Sequence, residues 1–213
     1  MKRRNFLLHT AGGGLAAAGT ALGANRVSPP QPATPSEVQG PFYPVFAPAD
    51  QDFDLTQVEG YPVQAQGRPI FISGTVQDTS GQAVEGATVD LWQANAAGRY
   101  RHPHDRNPAP LDEGFQGWAI VPSGKAGRFR FRTIFPGAYP VAEGWDRPPH
   151  IHFKVSKRGY EELVTQMYFP GQALNQKDAL LQRKSPEEQR LLIAERVSRD
   201  PETYLFRITL QKV

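Results

Sequence analysis

The chain has 213 residues, with 24 Lys plus Arg against 21 Asp plus Glu, 20 Gly, 20 Pro and no Cys. That length allows one compact domain with a core of its own, and the missing cysteine excludes a disulfide framework, a thiolate nucleophile, an iron-sulfur cluster and a Cys-type zinc site. Any metal must be held by His, carboxylate or phenolate.

Residues 1–24 read as a twin-arginine signal peptide. Lys2, Arg3 and Arg4 precede Phe6, Leu7 and Leu8, and an acid-free, small-residue apolar run follows from Ala11 to Ala24. The adjacent arginines fit twin-arginine export to the periplasm or exterior. The run is too short and too glycine-rich for a permanent membrane anchor. Without these residues the chain has 21 bases against 21 acids, because three bases and no acids are removed. A neutral chain gives no footprint for nucleic acid or an anionic membrane. Residues 25–39, with Pro29, Pro30, Pro32 and Pro35, read as a Pro-rich exposed lead-in that packs little. Residues 40–213 read as one compact domain.

From Ile70 onward, short alternating apolar runs appear: Ile70 to Val76, Thr88 to Gln93, Arg128 to Thr133, Ile151 to Val155, Leu163 to Phe169 and Tyr204 to Leu210. Period-two alternation with turns at Ser80-Gly81, Glu85-Gly86 and Ser123-Gly124 predicts an all-β fold, an antiparallel β-sandwich with one short C-terminal helix. The helix starts at a capping box, Ser185 with Pro186 and Glu188, and its apolar stripe runs to about Ser198. Two segments, Ala94 to Gln116 and Pro136 to Pro149, read as long loops. Their His, Tyr, Trp and Arg content marks them as functional rather than disordered.

His150-Ile151-His152 opens a strand, so both imidazoles fall on one face, as half of a metal site would require. A pair of satisfied histidines is the plain alternative. His102 and His104 form a second His-x-His pair in the first loop, which leaves a four-histidine Fe(II) site open as well. Tyr100 and Tyr139 lie one in each loop, as phenolate donors or as packing residues.

Leu91-Trp92-Gln93-Ala94-Asn95 with Gly98-Arg99-Tyr100-Arg101-His102, then Pro136-Gly137-Ala138-Tyr139-Pro140, then Arg147-Pro148-Pro149-His150-Ile151-His152-Phe153, then Thr165-Gln166-Met167-Tyr168-Phe169 follow one another in order. With Gly40-Pro41-Phe42-Tyr43-Pro44 ahead of them, they resemble the intradiol ring-cleavage dioxygenases, in particular the protocatechuate 3,4-dioxygenase-like branch. The resemblance implies a non-haem Fe(III) cofactor ligated by Tyr100, Tyr139, His150 and His152, with Tyr139 leaving when substrate binds. It implies that Arg147 stabilises negative charge on the substrate ring and that Gln166 orients substrate or oxygen. The reaction implied is intradiol cleavage of a catechol-type small molecule with O2 to a muconate-type diacid. Val141 stands where that branch carries Trp, so protocatechuate itself is not carried over as substrate. The alternative from another class is an exported, noncatalytic β-sandwich binding module. An oligomer of unspecified type is compatible with either.

Overall fold

The computed structural model describes residues 30–46, 50 and 52–213. The signal segment, residues 1–24, lies outside the described residues. Ten strands follow in chain order: β1 (Pro69–Asp78), β2 (Thr88–Trp92), β3 (Trp118–Pro122), β4 (Arg128–Ile134), β5 (Tyr139–Ala142), β6 (Trp145–Arg147), β7 (His150–Ser156), β8 (Leu163–Tyr168), β9 (Glu195–Arg199) and β10 (Glu202–Leu210). One helix, α1 (Pro186–Leu192), lies between β8 and β9. Two four-stranded sheets, ordered β4-β1-β10-β9 and β3-β2-β7-β8, form the sandwich, and β5-β6 is a separate hairpin.

Alternation builds the core. Ile70, Ile72 and Val76 of β1, Phe129 and Phe131 of β4, and Phe206 and Ile208 of β10 meet Val89 and Leu91 of β2, Ile151, Phe153 and Val155 of β7 and Met167 of β8 between the sheets. Each such side chain contributes about 1.5–3 kcal/mol on burial. The β-sandwich expectation is borne out. Pairing is antiparallel except for β1 with β10, which run parallel from Phe71 opposite Thr203 to Asp78 opposite Leu210. Because β10 lies directly beside β1 in the same sheet, a wide crossover replaces a hairpin.

Three local expectations are corrected. The helix starts at the expected capping box, with Ser185 accepting the Glu188 N–H and Glu188 accepting the Ser185 N–H, but it stops at Leu192 rather than near Ser198. Ile193 is already extended and bridges Tyr168, and Glu195–Arg199 pairs with β10 instead. Pairing with an open strand edge outweighs weak helix propensity in Ile193 and Val197. The second loop is partly a hairpin: Glu143-Gly144 turns the chain, and Tyr139 pairs with Arg147. Of the lead-in, residues 25–29 lie outside the described residues, and residues 30–39 pack at two positions while most of the rest stays exposed. Thr34 and Pro35 are buried, Thr34 N–H donates to Thr209 O, and Glu37 N–H donates to Val164 O. Strand edges need partners for their backbone groups, and this segment supplies them. Among the described residues no helix is long and apolar enough to cross a membrane.

Candidate active site

The site lies on the outer face of the β3-β2-β7-β8 sheet. Ile151, Phe153 and Val155 point into the core, so period two sends His150 and His152 to the opposite face. Register then fixes their neighbours. On β8, Tyr168 is opposite His150 and Gln166 is opposite His152, while on β2 Trp92 is opposite His152. Trp92 stacks on the His152 ring, with centroids 4.8 Å apart and planes 11° apart.

The two long loops cover this face and clasp each other through their backbones. Gly137 N–H donates to Asn95 O at 2.9 Å. A Cβ at Gly98 would overlap the Ala138 carbonyl, and one at Gly137 would overlap the backbone of Ala96 to Gly98. Only glycine permits that approach, and each glycine stands two residues before one of the tyrosines. The Tyr100 and Tyr139 rings meet edge to face with centroids 5.5 Å apart. The first loop is braced from within. Asn95 Oδ1 accepts the N–H groups of Ala97 and Arg99, and Asp105 Oδ2 accepts the Tyr100 N–H at 2.7 Å.

Four donor atoms converge. Tyr100 Oη is 3.1 Å from His152 Nε2 and 3.5 Å from His150 Nε2. Tyr139 Oη is 3.4 Å from His150 Nε2, and the two Nε2 atoms are 3.2 Å apart. His150 Nδ1 is 2.7 Å from the Pro148 carbonyl, so it carries the proton and Nε2 presents its lone pair. Two imidazole nitrogens facing each other at this distance repel unless a proton or a cation lies between them. A first-row metal about 2.0–2.1 Å from each of four donors holds them about 3 to 3.5 Å apart. The donor set therefore fits a metal ion, and its two hard phenolic oxygens suit a highly charged one.

The protonation states agree. Burial pushes the Tyr100 phenol well above its ordinary value, with Tyr139 adding to the effect, and burial likewise raises Tyr139. Burial, reinforced by the Arg147 charge, lowers His150 well below its usual range and takes His152 down to about 3. All four groups are thus neutral when no cation is among them, and a bound cation would reverse the preference of the phenols.

Arg147 and Gln166 lie beside the cluster. Arg147 Nη2 donates to Gln166 Oε1 at 2.6 Å and to Tyr168 Oη at 3.1 Å. Burial acts against the guanidinium charge, but the phenols of Tyr168 and Tyr139 and the carboxylate of Asp178 outweigh it and raise its pKa. Gln166 Nε2 donates to Val38 O, which ties the N-terminal segment over the site. A cavity of about 780 Å³ opens here, lined by Tyr139, Arg147 and His152 with Phe42, Val141 and Trp145. Tyr100 and His150 do not line it.

All six expected residues, Tyr100, Tyr139, Arg147, His150, His152 and Gln166, come together. His102 and His104 do not join them: among the described residues no three His, Cys, Asp or Glu side chains gather into a metal-holding group. That removes the four-histidine reading. Sequence reasoning missed two residues of the site. Tyr168 was detectable, since it shares the outer face of β8 with Gln166. Asp178 was not, because it lies in an irregular segment without periodicity.

Fold and donor set define a β-sandwich protein with a buried two-tyrosine, two-histidine cluster at the wall of a cavity. A family model described as Dioxygenase matches residues 38–212. The beta chain of protocatechuate 3,4-dioxygenase from Burkholderia cepacia is 41% identical over 166 residues, 75% of this chain and 70% of that one. The 6-chlorohydroxyquinol 1,2-dioxygenase of Cupriavidus pinatubonensis is 32% identical over 195 residues, 84% of this chain and 65% of that one. Among solved structures, the dioxygenase domain of a dioxygenase and carbohydrate-binding protein fusion from Streptomyces sp. SirexAA-E superposes with a TM-score of 0.66 at 29% identity. That match covers 85% of this chain and 100% of that one. The chain belongs to the intradiol dioxygenase family. The binding-module alternative is not favoured.

Proposed function

We propose that this protein is a non-haem Fe(III) enzyme that cleaves a catechol-type ring with O2 between its two hydroxyl-bearing carbons, giving a muconate-type diacid. The observation that carries the reading is the convergence of Tyr100 Oη, Tyr139 Oη, His150 Nε2 and His152 Nε2 at the wall of the cavity. These four residues would hold the iron. A ferric ion held there would supply Lewis-acid and electron-accepting chemistry to a catechol-type substrate, which would make the ring reactive towards O2.

The chain's own groups do the rest. Tyr139 is the phenol that borders the cavity, so its oxygen is placed to take a proton from an arriving substrate hydroxyl. Arg147, buried and cationic, offers a fixed charge to the oxygen-bearing ring as negative charge builds, in a site where little water competes. Gln166 holds Arg147 through its Oε1 and the Val38 carbonyl through its Nε2, which fixes the cavity wall on that side. Phe42, Pro41, Pro140 and Val141 give the ring an apolar berth. The residues of the first loop keep Tyr100 from following Tyr139 when the latter moves.

Export through the twin-arginine signal of residues 1–24 belongs to the same reading, since that route carries a folded, metal-loaded protein; N-terminal sequencing of the exported form tests it. The catalytic reading is tested on purified mature protein by iron analysis, visible spectroscopy and oxygen uptake with catechol. A ferric tyrosinate charge-transfer band that moves on anaerobic addition of catechol, with oxygen uptake once air is admitted, is the expected result. Protein that stays colourless and iron-free after ferric reconstitution overturns it.

A further inference from the structure

Beside the cluster lies a buried carboxylate to which the dioxygenase reading assigns no part. Asp178 sits between the 3-10 turns Ala173–Gln176 and Leu181–Arg183 and is 0% exposed. An ionised group in such a place requires a charge partner and hydrogen bonds. Its Oδ1 is 2.8 Å from Nε of Arg147 and accepts the Trp145 indole N–H at 3.2 Å. Its Oδ2 accepts the Leu181 N–H at 3.3 Å. The other edge of the same guanidinium is taken by Gln166 and Tyr168 through Nη2. Arg147 is thus held from two sides, by an ion pair without hydrogen-bond geometry to the segment after β8 at Nε, and by hydrogen bonds to β8 itself at Nη2. Among the described residues Nη1 has no protein acceptor, and Arg147 lines the cavity.

We propose that Asp178 is a positioning residue that acts through Arg147. It holds the guanidinium in one rotamer, so that the remaining amino group is presented to negative charge on a ligand in the cavity. Trp145 completes the arrangement. It reaches Asp178 from the β5-β6 hairpin, two residues before Arg147 on the same strand, so the carboxylate fixes the strand and its arginine together. Without Asp178 the cation keeps only the neutral amide and phenol on its Nη2 edge. Its remaining attractions are then to Tyr139, its partner across the hairpin, to the buried Glu37 carboxylate, which is itself paired with Lys184, and to the ligand oxygens themselves. A cation free to turn towards either is no longer pre-organised for the charge that develops in the reaction.

The inference rests on the dioxygenase reading only for what Arg147 acts upon, and the test separates the two. Oxygen uptake with catechol is measured for the wild type, Asp178→Asn, Arg147→Lys and the double variant, together with iron content and a crystal structure of Asp178→Asn. Asp178→Asn is expected to lower kcat about 10- to 100-fold with iron content unchanged. In the Arg147→Lys background the same substitution is expected to cost less than about 3-fold, because the residue through which it acts is gone. In the crystal structure the Arg147 guanidinium should leave its wild-type rotamer, with Nε turned away from residue 178. An equal loss in both backgrounds, or an unmoved Arg147 side chain, overturns the inference. Absence of oxygen uptake in the iron-loaded wild type overturns the dioxygenase reading instead, and the crystal structure then decides on Asp178 alone. Should Asp178→Asn fail to fold, Trp145→Phe removes one hydrogen bond from the same carboxylate. A kcat lowered about 3-fold or more with Arg147 present, and unchanged by the same substitution in the Arg147→Lys background, supports the inference; an unchanged kcat, or an equal loss in both backgrounds, overturns it.

Discussion

The two loops that carry the tyrosines are built on opposite plans. The first, residues 94–116, is laced by side-chain to backbone hydrogen bonds from Asn95, Asp105, Asn107 and Asp112, and it seats Tyr100 behind the donor cluster, away from the cavity. The second, residues 136–149, is a short hairpin with an exposed tip from Pro140 to Glu143. It is tied down at its base, by Gly137 to Asn95 and by Tyr139 opposite Arg147. The same residue type thus occupies a rigid setting in one loop and a cavity-facing, lightly held one in the other. The lesson is that identical donors acquire different duties from the number of bonds holding the backbone behind them. On the proposed function, this makes Tyr100 the anchor and Tyr139 the group that yields.

The comparison can be broken most directly at the phenols. Tyr100→Phe should cost the protein its iron and with it all measurable ring cleavage, whereas Tyr139→Phe should retain iron by metal analysis and lower kcat by about 10²–10⁴ through loss of the proton acceptor. Equal iron loss in the two variants would erase the distinction. Next in size is the clasp between the loops. Gly98→Ala, which combines a backbone overlap with a left-handed φ of 80°, should destabilise by about 2–5 kcal/mol in denaturant unfolding. Gly144→Ala at the hairpin tip has φ of 75° but open space around it, so only the conformational penalty of about 1–2 kcal/mol is expected.

Bracing within the loops comes third. Asp105→Ala, which orphans the buried Tyr100 N–H, should cost about 1–3 kcal/mol, while Val141→Ser on the exposed tip should stay within about 0.5 kcal/mol. A fall in melting temperature of the same size for both would show that the first loop is no better held than the second. A pH-dependent effect lies outside both loops and serves as their reference. Burial acts to raise the Asp78 carboxyl, but Lys212, the Ser80 hydroxyl and the Gln82 and Ser80 N–H groups outweigh it and bring the pKa to about 2, against 3.8 for the free side chain. A folded-state value below the unfolded one means that the stabilisation is complete above about pH 4 and is lost as pH falls towards 2. Melting curves from pH 5 to 2 should therefore fall more steeply for the wild type than for Asp78→Asn, with the iron site unaffected at neutral pH.

Much of this was present in the sequence because it depends on neighbours a few residues apart. Alternation placed His150 and His152 on one strand face, the Ser185 to Glu188 capping box marked where the helix starts, and Pro and Gly marked both functional loops. The ordered motifs around Tyr100, Tyr139 and His150 carried the family. Tertiary structure decided the rest. Nothing local says which face of the β3-β2-β7-β8 sheet becomes core, since β2 and β7 are buried on both sides, the inner face by the other sheet and the outer face by loops and the N-terminal segment. Glu195–Arg199 became a strand because β10 offered it an edge, not because its residues demand one. Asp178 meets Arg147 only after β8 and two 3-10 turns have carried it back across the site. Periodicity and capping act over one or two turns of chain, whereas burying a charge is settled by whichever distant group arrives to pair with it.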